Sequence, residues 1–295
     1  MQRNMERSVG LRRIDLVDPV QHAAIPLVIL YPAFGQERIE RFGPYSLNAV
    51  PGAPIEGEQL SLVVISHGNS STPWVHRDLA ADLVRAGFAV ALPEHPGNSR
   101  NDNSLAGTAA NLVNRPRHIK LVVDASYTDP EIGIRLAPGR VGIIGNSIGA
   151  YTALAVAGGR PWAGPHETPD GNPCPLEVSH DSRVRALVLL SPATPWFMPA
   201  GTLTDVRIPI QMWSGDRDKI TTPWHAELVK AGVPDPSLID HRTVAGAGHF
   251  SFMSAFPPEM NRPDFPPAHD PKGFDRRQLQ PYLHAEILSF LRRTL

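Results

Sequence analysis

The chain has 295 residues, 42% hydrophobic and 19% charged, enough to bury one large α/β core or two small ones. Its 28 Lys and Arg nearly cancel 29 Asp and Glu, so no basic surface recommends nucleic acid or an anionic membrane as a partner. A single cysteine, Cys174, excludes an intrachain disulfide and a thiolate metal cluster.

At the N-terminus, MQRNMERSVGLRRIDL lacks the apolar stretch of a secretory signal, and no apolar run approaches the roughly 20 residues needed to span a bilayer. A cytoplasmic protein is expected. Strands are predicted at 25–32 (IPLVILYP) and 60–66 (LSLVVIS), followed by a helix in HRDLAADLVRAG with Leu79, Leu83 and Val84 on one face and Gly87 as its stop. A strand at 88–93 precedes a second helix, PRHIKLVVDAS, predicted to start at Pro116 and to bury Ile119, Val122 and Val123. The strand RVGIIG (140–145) runs directly into the helix IGAYTALAVAGG. Further strands are predicted at 184–191, 208–215 and 238–244, and QLQPYLHAEILSFLRRTL closes the chain as a helix with Leu283, Ile287, Phe290 and Leu291 on one stripe. Prolines, 31 in all, concentrate in two long excursions, 159–177 and 254–273. Val/Ile/Leu-rich strands alternating with amphipathic helices predict an α/β fold: a mostly parallel central sheet with helices on both faces, in a single domain over 1–295.

The tripeptide GNS occurs at 68–70, 97–99 and 145–147. A serine hydroxyl becomes a nucleophile only where a base takes its proton and donors hold the resulting oxyanion. A sharp strand-to-helix turn supplies the second condition, and its crowding requires glycine two residues before and two after the serine. Ser147 has Gly145 and Gly149, a strand before it and a helix after it. Ser99 has Asn101 at the second position and Ser70 has Thr72, so both read as loop serines. A glycine-rich helix start with a capping serine is the plainer alternative for Ser147, and the flanking strand and helix argue against it.

A serine in such a turn needs an acid and then a histidine, in that chain order, after later strands. The strand at 208–215 leads into DRDKITTP, with Asp216 and Asp218, and the strand at 238–244 leads into AGAGHFSFM, with His249. Asp218 is preferred as the acid because it lies farther along the turn, while Asp216, next to Gly215, reads as a turn cap. Asp205 is next in line. Backbone N–H groups of Ile148 and Asn69 are the candidate oxyanion hole, and His67 reads as a structural histidine because it precedes the serine. Aromatic and apolar residues near the expected mouth, Trp74, Trp196 and Phe250 with Phe197, Phe252 and Met253, are candidate pocket residues. No metal-binding spacing is present, so no metal or cofactor is expected.

With these residues assembled, the chain resembles the α/β-hydrolase superfamily, and within it the dienelactone-hydrolase-like and platelet-activating-factor-acetylhydrolase-like serine esterases. LVVISHGNSSTPWVHRDLAADLVRAGFAVALPEHPGNSRND, RPRHIKLVVD, RVGIIGNSIGAYTAL, SGDRDKITTP, AGAGHFSFM and the later GFDR carry the likeness, which spans most of the chain from residue 25 onward. True dienelactone hydrolases use a cysteine where this chain has Ser147, so the resemblance implies ester hydrolysis and not the lactone reaction. In the acetylhydrolase branch the acid follows the preceding strand; the matching segment here, LLSPATPWFMP, has no Asp or Glu, which favours Asp218. Asn146 stands where many relatives have His.

The expected activity is cofactor-independent hydrolysis of a small-molecule carboxylic ester with an apolar group, through an acyl-enzyme on Ser147. Amide or peptide hydrolysis and acyl transfer would use the same triad, and a non-catalytic binding module of the same fold is the reading from another class. The oligomeric state stays open.

Overall fold

The structure, a computed structural model, describes residues 7–295. Residues 1–6, part of the N-terminal stretch read above, lie outside the described residues. The chain opens with β1 (Ser8–Asp18), β2 (Ala23–Ala33), β3 (Arg38–Phe42) and β4 (Tyr45–Pro51). Next come β5 (Leu60–Ser66), α1 (Arg77–Arg85), β6 (Ala89–Pro93), α2 (Ala109–Thr128), β7 (Leu136–Asn146) and α3 (Ile148–Val156). After the two-residue strands β8 (Trp162–Ala163) and β9 (Cys174–Pro175) follow β10 (Val184–Leu190), β11 (Ile210–Gly215), α4 (Trp224–Gly232), β12 (Ile239–Val244) and α5 (Arg276–Thr294).

Among the described residues, ten strands form one sheet in the order β12-β11-β10-β7-β5-β6-β2-β1-β4-β3. From β12 to β6 every pairing is parallel; β2 is antiparallel to both β6 and β1, β1 is parallel to β4, and β4 is antiparallel to β3. The central strands are buried on both faces, β5 along its whole length, which explains their near-continuous apolar sequences. Leu112, Ile119 and Val122 of α2, Leu154 of α3 and Val229 of α4 pack into the core on one side of the sheet. Leu79 and Leu83 of α1 and Leu283, Ile287 and Leu291 of α5 fill the other.

The seven predicted strands are present with small shifts at their ends, whereas β1, β3 and β4 occupy residues to which the sequence pattern assigned nothing. From Arg12 to Val17 β1 alternates half-buried and exposed residues, because it lies toward the edge of the sheet with one face near water. Helix α4 is also unforeseen. Helix α2 corrects a second expectation: it begins at Ala109, capped by Thr108, whose Oγ1 accepts the Asn111 N–H at 3.1 Å, and it runs through Pro116. Proline there leaves the Leu112 carbonyl without its helical partner, and the Tyr151 hydroxyl donates to that carbonyl at 2.9 Å.

The register lines up the ends of the parallel strands. Ser66 pairs with Gly145, Asn146 with Leu190, and Gly215 with Val244, so the chain leaves β5, β7, β11 and β12 on the same edge. Loops carrying Asn69, Ser147, Asp218 and His249 therefore converge there. No helix among the described residues is long and apolar enough to cross a membrane.

Candidate active site

Ser147 sits between the end of β7 and the first residue of α3 with φ 55° and ψ −119°, a strained backbone for a residue with a side chain. The Ser147 N–H donates to the Leu190 carbonyl at 2.9 Å, and its carbonyl accepts from Ala150 and Ala193, which pins the turn. A Cβ at position 145 would lie 2.3 Å from the Gly149 carbonyl oxygen, and one at 149 would lie 2.0 Å from the Ser66 carbonyl oxygen. Both flanking glycines are thus imposed by close backbone approach.

The His249 imidazole faces Ser147 with Nε2 3.1 Å from Oγ. Its Nδ1–H donates to Asp218 Oδ2 at 2.8 Å, and both residues are buried. Asp218 is held by its own turn: Oδ1 accepts the N–H groups of Ile220 and Thr221, both at 2.8 Å, and Oδ2 accepts the Thr221 hydroxyl at 2.7 Å. Burial pushes the carboxyl upward, but the hydrogen bond and charge of His249, with the Thr221 hydroxyl and N–H, outweigh it and hold Asp218 at about 2. Thr221 was not singled out from sequence, although Asp followed three residues later by Thr is a signal for such a self-capped turn. Asp216 is exposed and points elsewhere, accepting the Gly246 N–H at 2.7 Å and so capping the turn before His249. Asp205 is exposed beside Arg160, with Nε and Oδ2 3.5 Å apart.

Ile148 opens α3, so its N–H is one of the helix-end donors without an intrahelical partner. Gly68 and Asn69 line the same cleft as Ser147 and His249. Among the described residues, neither the Asn69 nor the Ile148 N–H is paired with a protein acceptor. Ser70 shares the cleft with no histidine in hydrogen-bond reach, and buried Ser99 accepts the N–H groups of Asn101 and Asp102 at 3.3 Å.

No family model matches this chain, and no curated protein matches it in sequence. Solved structures do. A ferulic acid esterase from Streptomyces cinnamoneus superposes with a TM-score of 0.69 at 18% identity, covering 100% of this chain and 91% of that one. A dienelactone hydrolase from Anabaena variabilis gives 0.57 at 14% identity, covering 97% and 99%. The chain has the α/β-hydrolase fold.

In this α/β-hydrolase fold the cleft above Ser147 encloses about 250 Å³. Phe250 and Met253 line it together with Tyr45, Val75, Ile220, Phe256 and Phe265. Trp74 and Trp196 do not, which corrects the sequence expectation. Trp74 is buried in the turn after β5, where it stacks on Phe42 with ring centroids 3.5 Å apart and borders a separate surface cavity. The β3–β4 hairpin that supplies Phe42 was not foreseen. Trp196 donates its indole N–H to Glu167 at 2.7 Å and sets its edge against Tyr151. Phe197 and Phe252 are core residues. Phe256, Phe265 and Pro267 come from the 254–273 excursion, whose Asp270 is paired with Arg276 and accepts the Ser251 hydroxyl at 3.1 Å. Among the described residues, no group of three or more His, Cys, Asp or Glu side chains is placed to hold a metal ion.

The fold buries several neutral histidines around this site. Burial lowers His76 and His225 to about 4 and His118 to about 3, and carries His67 and His95 well below their ordinary 6.5. In that interval the unfolded chain binds protons that the folded chain refuses, so stability rises with pH. The melting temperature is expected to fall steadily as pH drops from about 6.5 toward 4. Calorimetry across that window tests this; a flat profile would contradict the burial of uncharged imidazoles.

Proposed function

We propose that the protein is a cofactor-independent serine hydrolase of carboxylic esters. The observation that carries the reading is the unbroken line of hydrogen bonds from Ser147 Oγ to His249 Nε2 and from His249 Nδ1 to Asp218. Ser147 Oγ attacks the ester carbonyl carbon while His249 Nε2 takes its proton, and the carbonyl oxygen becomes an oxyanion held by the Asn69 and Ile148 N–H groups. Collapse of this intermediate breaks the bond to the alcohol, which leaves with the proton from His249. Water, deprotonated by the same imidazole, then attacks the acyl-enzyme and releases the acid. Asp218 keeps the proton on Nδ1, so that Nε2 is the base, and stabilises the imidazolium. Solved neighbours named as an esterase and a lactone-cleaving enzyme support an ester substrate, and the aromatic cleft supports an apolar group on it.

A fluorophosphonate probe and a panel of p-nitrophenyl esters of rising chain length, with amide analogues, test the reading. Stoichiometric labelling at Ser147 with ester turnover is expected. Turnover of amides in preference to esters would move the assignment to a peptidase or amidase with the same triad, and a protein inert to probe and panel would make it a binding module.

The 254–273 excursion forms part of the cleft wall in this reading. Replacing residues 257–270 with a short Gly/Ser linker removes Phe265 and Pro267, and is expected to change chain-length preference more than turnover of the acetate ester. An unchanged preference in a folded, active variant would show that the excursion does not contact substrate.

A further inference from the structure

Arg115 of α2 is completely buried and makes no ion pair among the described residues. Its partners are neutral: Nη2 donates to the His67 carbonyl and, at 3.3 Å, to Ser66 Oγ; Nη1 donates to Asn98 Oδ1 at 2.6 Å; Nε donates to Thr152 Oγ1 at 3.0 Å. One guanidinium thus ties the end of β5, the loop after β6 and the second turn of α3, the segments around Asn69 and Ile148. The grip extends further. Asn98 Nδ2 donates to Asn69 Oδ1 at 2.7 Å, and the Thr152 hydroxyl donates to the Ile148 carbonyl at 3.1 Å.

His67 completes the frame. Its Nδ1–H donates to the Gly68 carbonyl at 2.8 Å, while Nε2 accepts the His95 N–H at 3.0 Å. The Gly68 carbonyl and the Asn69 N–H belong to one peptide group, so a hydrogen bond to that carbonyl polarises that N–H. Nothing nearby cancels the Arg115 charge. Ser66 donates to His95 Nε2 at 3.0 Å, His95 Nδ1–H to His118 Nδ1 at 3.1 Å, and His118 Nε2–H reaches Asp18 at 3.2 Å. Asp18 at the far end is already paired with Arg117 at 2.7 Å.

A buried cation without a counter-ion is costly, and an apolar side chain of the same length would fill the space at lower cost. The hydrogen bonds to neutral acceptors offset part of that cost, and negative charge developing nearby offsets more. Resting on the hydrolase reading above, we propose that Arg115 is the positioning residue of the oxyanion hole: it clamps the His67–Asn69 loop against the Ser147 turn and adds a fixed positive charge behind it.

The test compares wild type, Arg115→Met, Arg115→Lys and Asn98→Ala. It reads kcat per fluorophosphonate-titrated site, KM, and the Ki of a trifluoromethyl ketone, whose adduct on Ser147 places an oxyanion in the hole. Arg115→Met is expected to lower kcat by roughly 10²-fold with KM nearly unchanged, and to weaken the ketone in parallel with kcat/KM. Arg115→Lys should recover part of the loss by restoring the charge. A folded Arg115→Met whose titrated kcat and ketone affinity match wild type overturns the proposal. Should Arg115→Met fail to fold, Asn98→Ala decides, because it keeps the guanidinium but removes the side chain that joins it to Asn69, together with a hydrogen bond to Asn103: a roughly tenfold loss in kcat with a weakened ketone supports the clamp, and unchanged values overturn it. A wild type inert to both ester and fluorophosphonate overturns the hydrolase reading itself, whereas a reactive wild type with insensitive variants overturns this inference alone.

Discussion

Replacing Ser147 with alanine is expected to lower ester turnover by about 10⁶-fold, the size of effect that follows loss of the nucleophile in a serine protease triad. The melting temperature should stay close to that of wild type. Ser147 Oγ makes one side-chain hydrogen bond, to His249, and the strained turn is held by backbone bonds to Leu190, Ala150 and Ala193 that alanine retains. Alanine also meets the positive φ with the same Cβ that serine has. Ser70→Ala and Ser99→Ala serve as controls and should keep most activity. Kinetics on one activated ester, with calorimetry alongside, check all three. If Ser99→Ala were as inactive as Ser147→Ala, the nucleophile assignment would fail.

Asp218→Asn is expected to lower kcat by about 10⁴-fold, as the equivalent change does in serine proteases. An amide offers its NH₂ group as well as its oxygen, and so favours the imidazole tautomer with the proton on Nε2, where it cannot take the serine proton. Asp216→Asn should cost far less activity, because Asp216 accepts only the Gly246 N–H and an amide oxygen accepts it as well. The two variants also differ in acid. A carboxyl held at about 2 in the fold against 3.8 unfolded stabilises the protein above pH 4, and that contribution is lost as pH falls toward 2. Asp218→Asn should remove this component of the acid transition, and Asp216→Asn should keep it. A severe kcat loss in Asp216→Asn with Asp218→Asn near wild type would reverse the roles.

The seven predicted strands, six of them largely buried and β12 a half-buried edge, the Ser147 turn and the chain order of Ser147, Asp218 and His249 were legible in sequence. Two-sided burial writes an unbroken Val/Ile/Leu run, and a turn in which Cβ atoms would overlap backbone writes glycine at fixed spacing. Strand ends that align in a parallel sheet then bring the three residues to one edge. Tertiary structure alone decided what lies between distant segments. Trp74 faces Phe42 because the β3–β4 hairpin reaches over it, and Trp196 turns to Glu167, so neither lines the cleft that Tyr45, Phe256 and Phe265 enclose. Helix α2 continues through Pro116 because Tyr151, 39 positions from Leu112, takes up the freed carbonyl. Arg115 precedes the helix expected from sequence and was given no role there; its burial against the carbonyl of His67 follows from where α2 crosses the strand ends. Local spacing records constraints within a few residues, and side chains that meet across the sheet leave no such record in either segment alone.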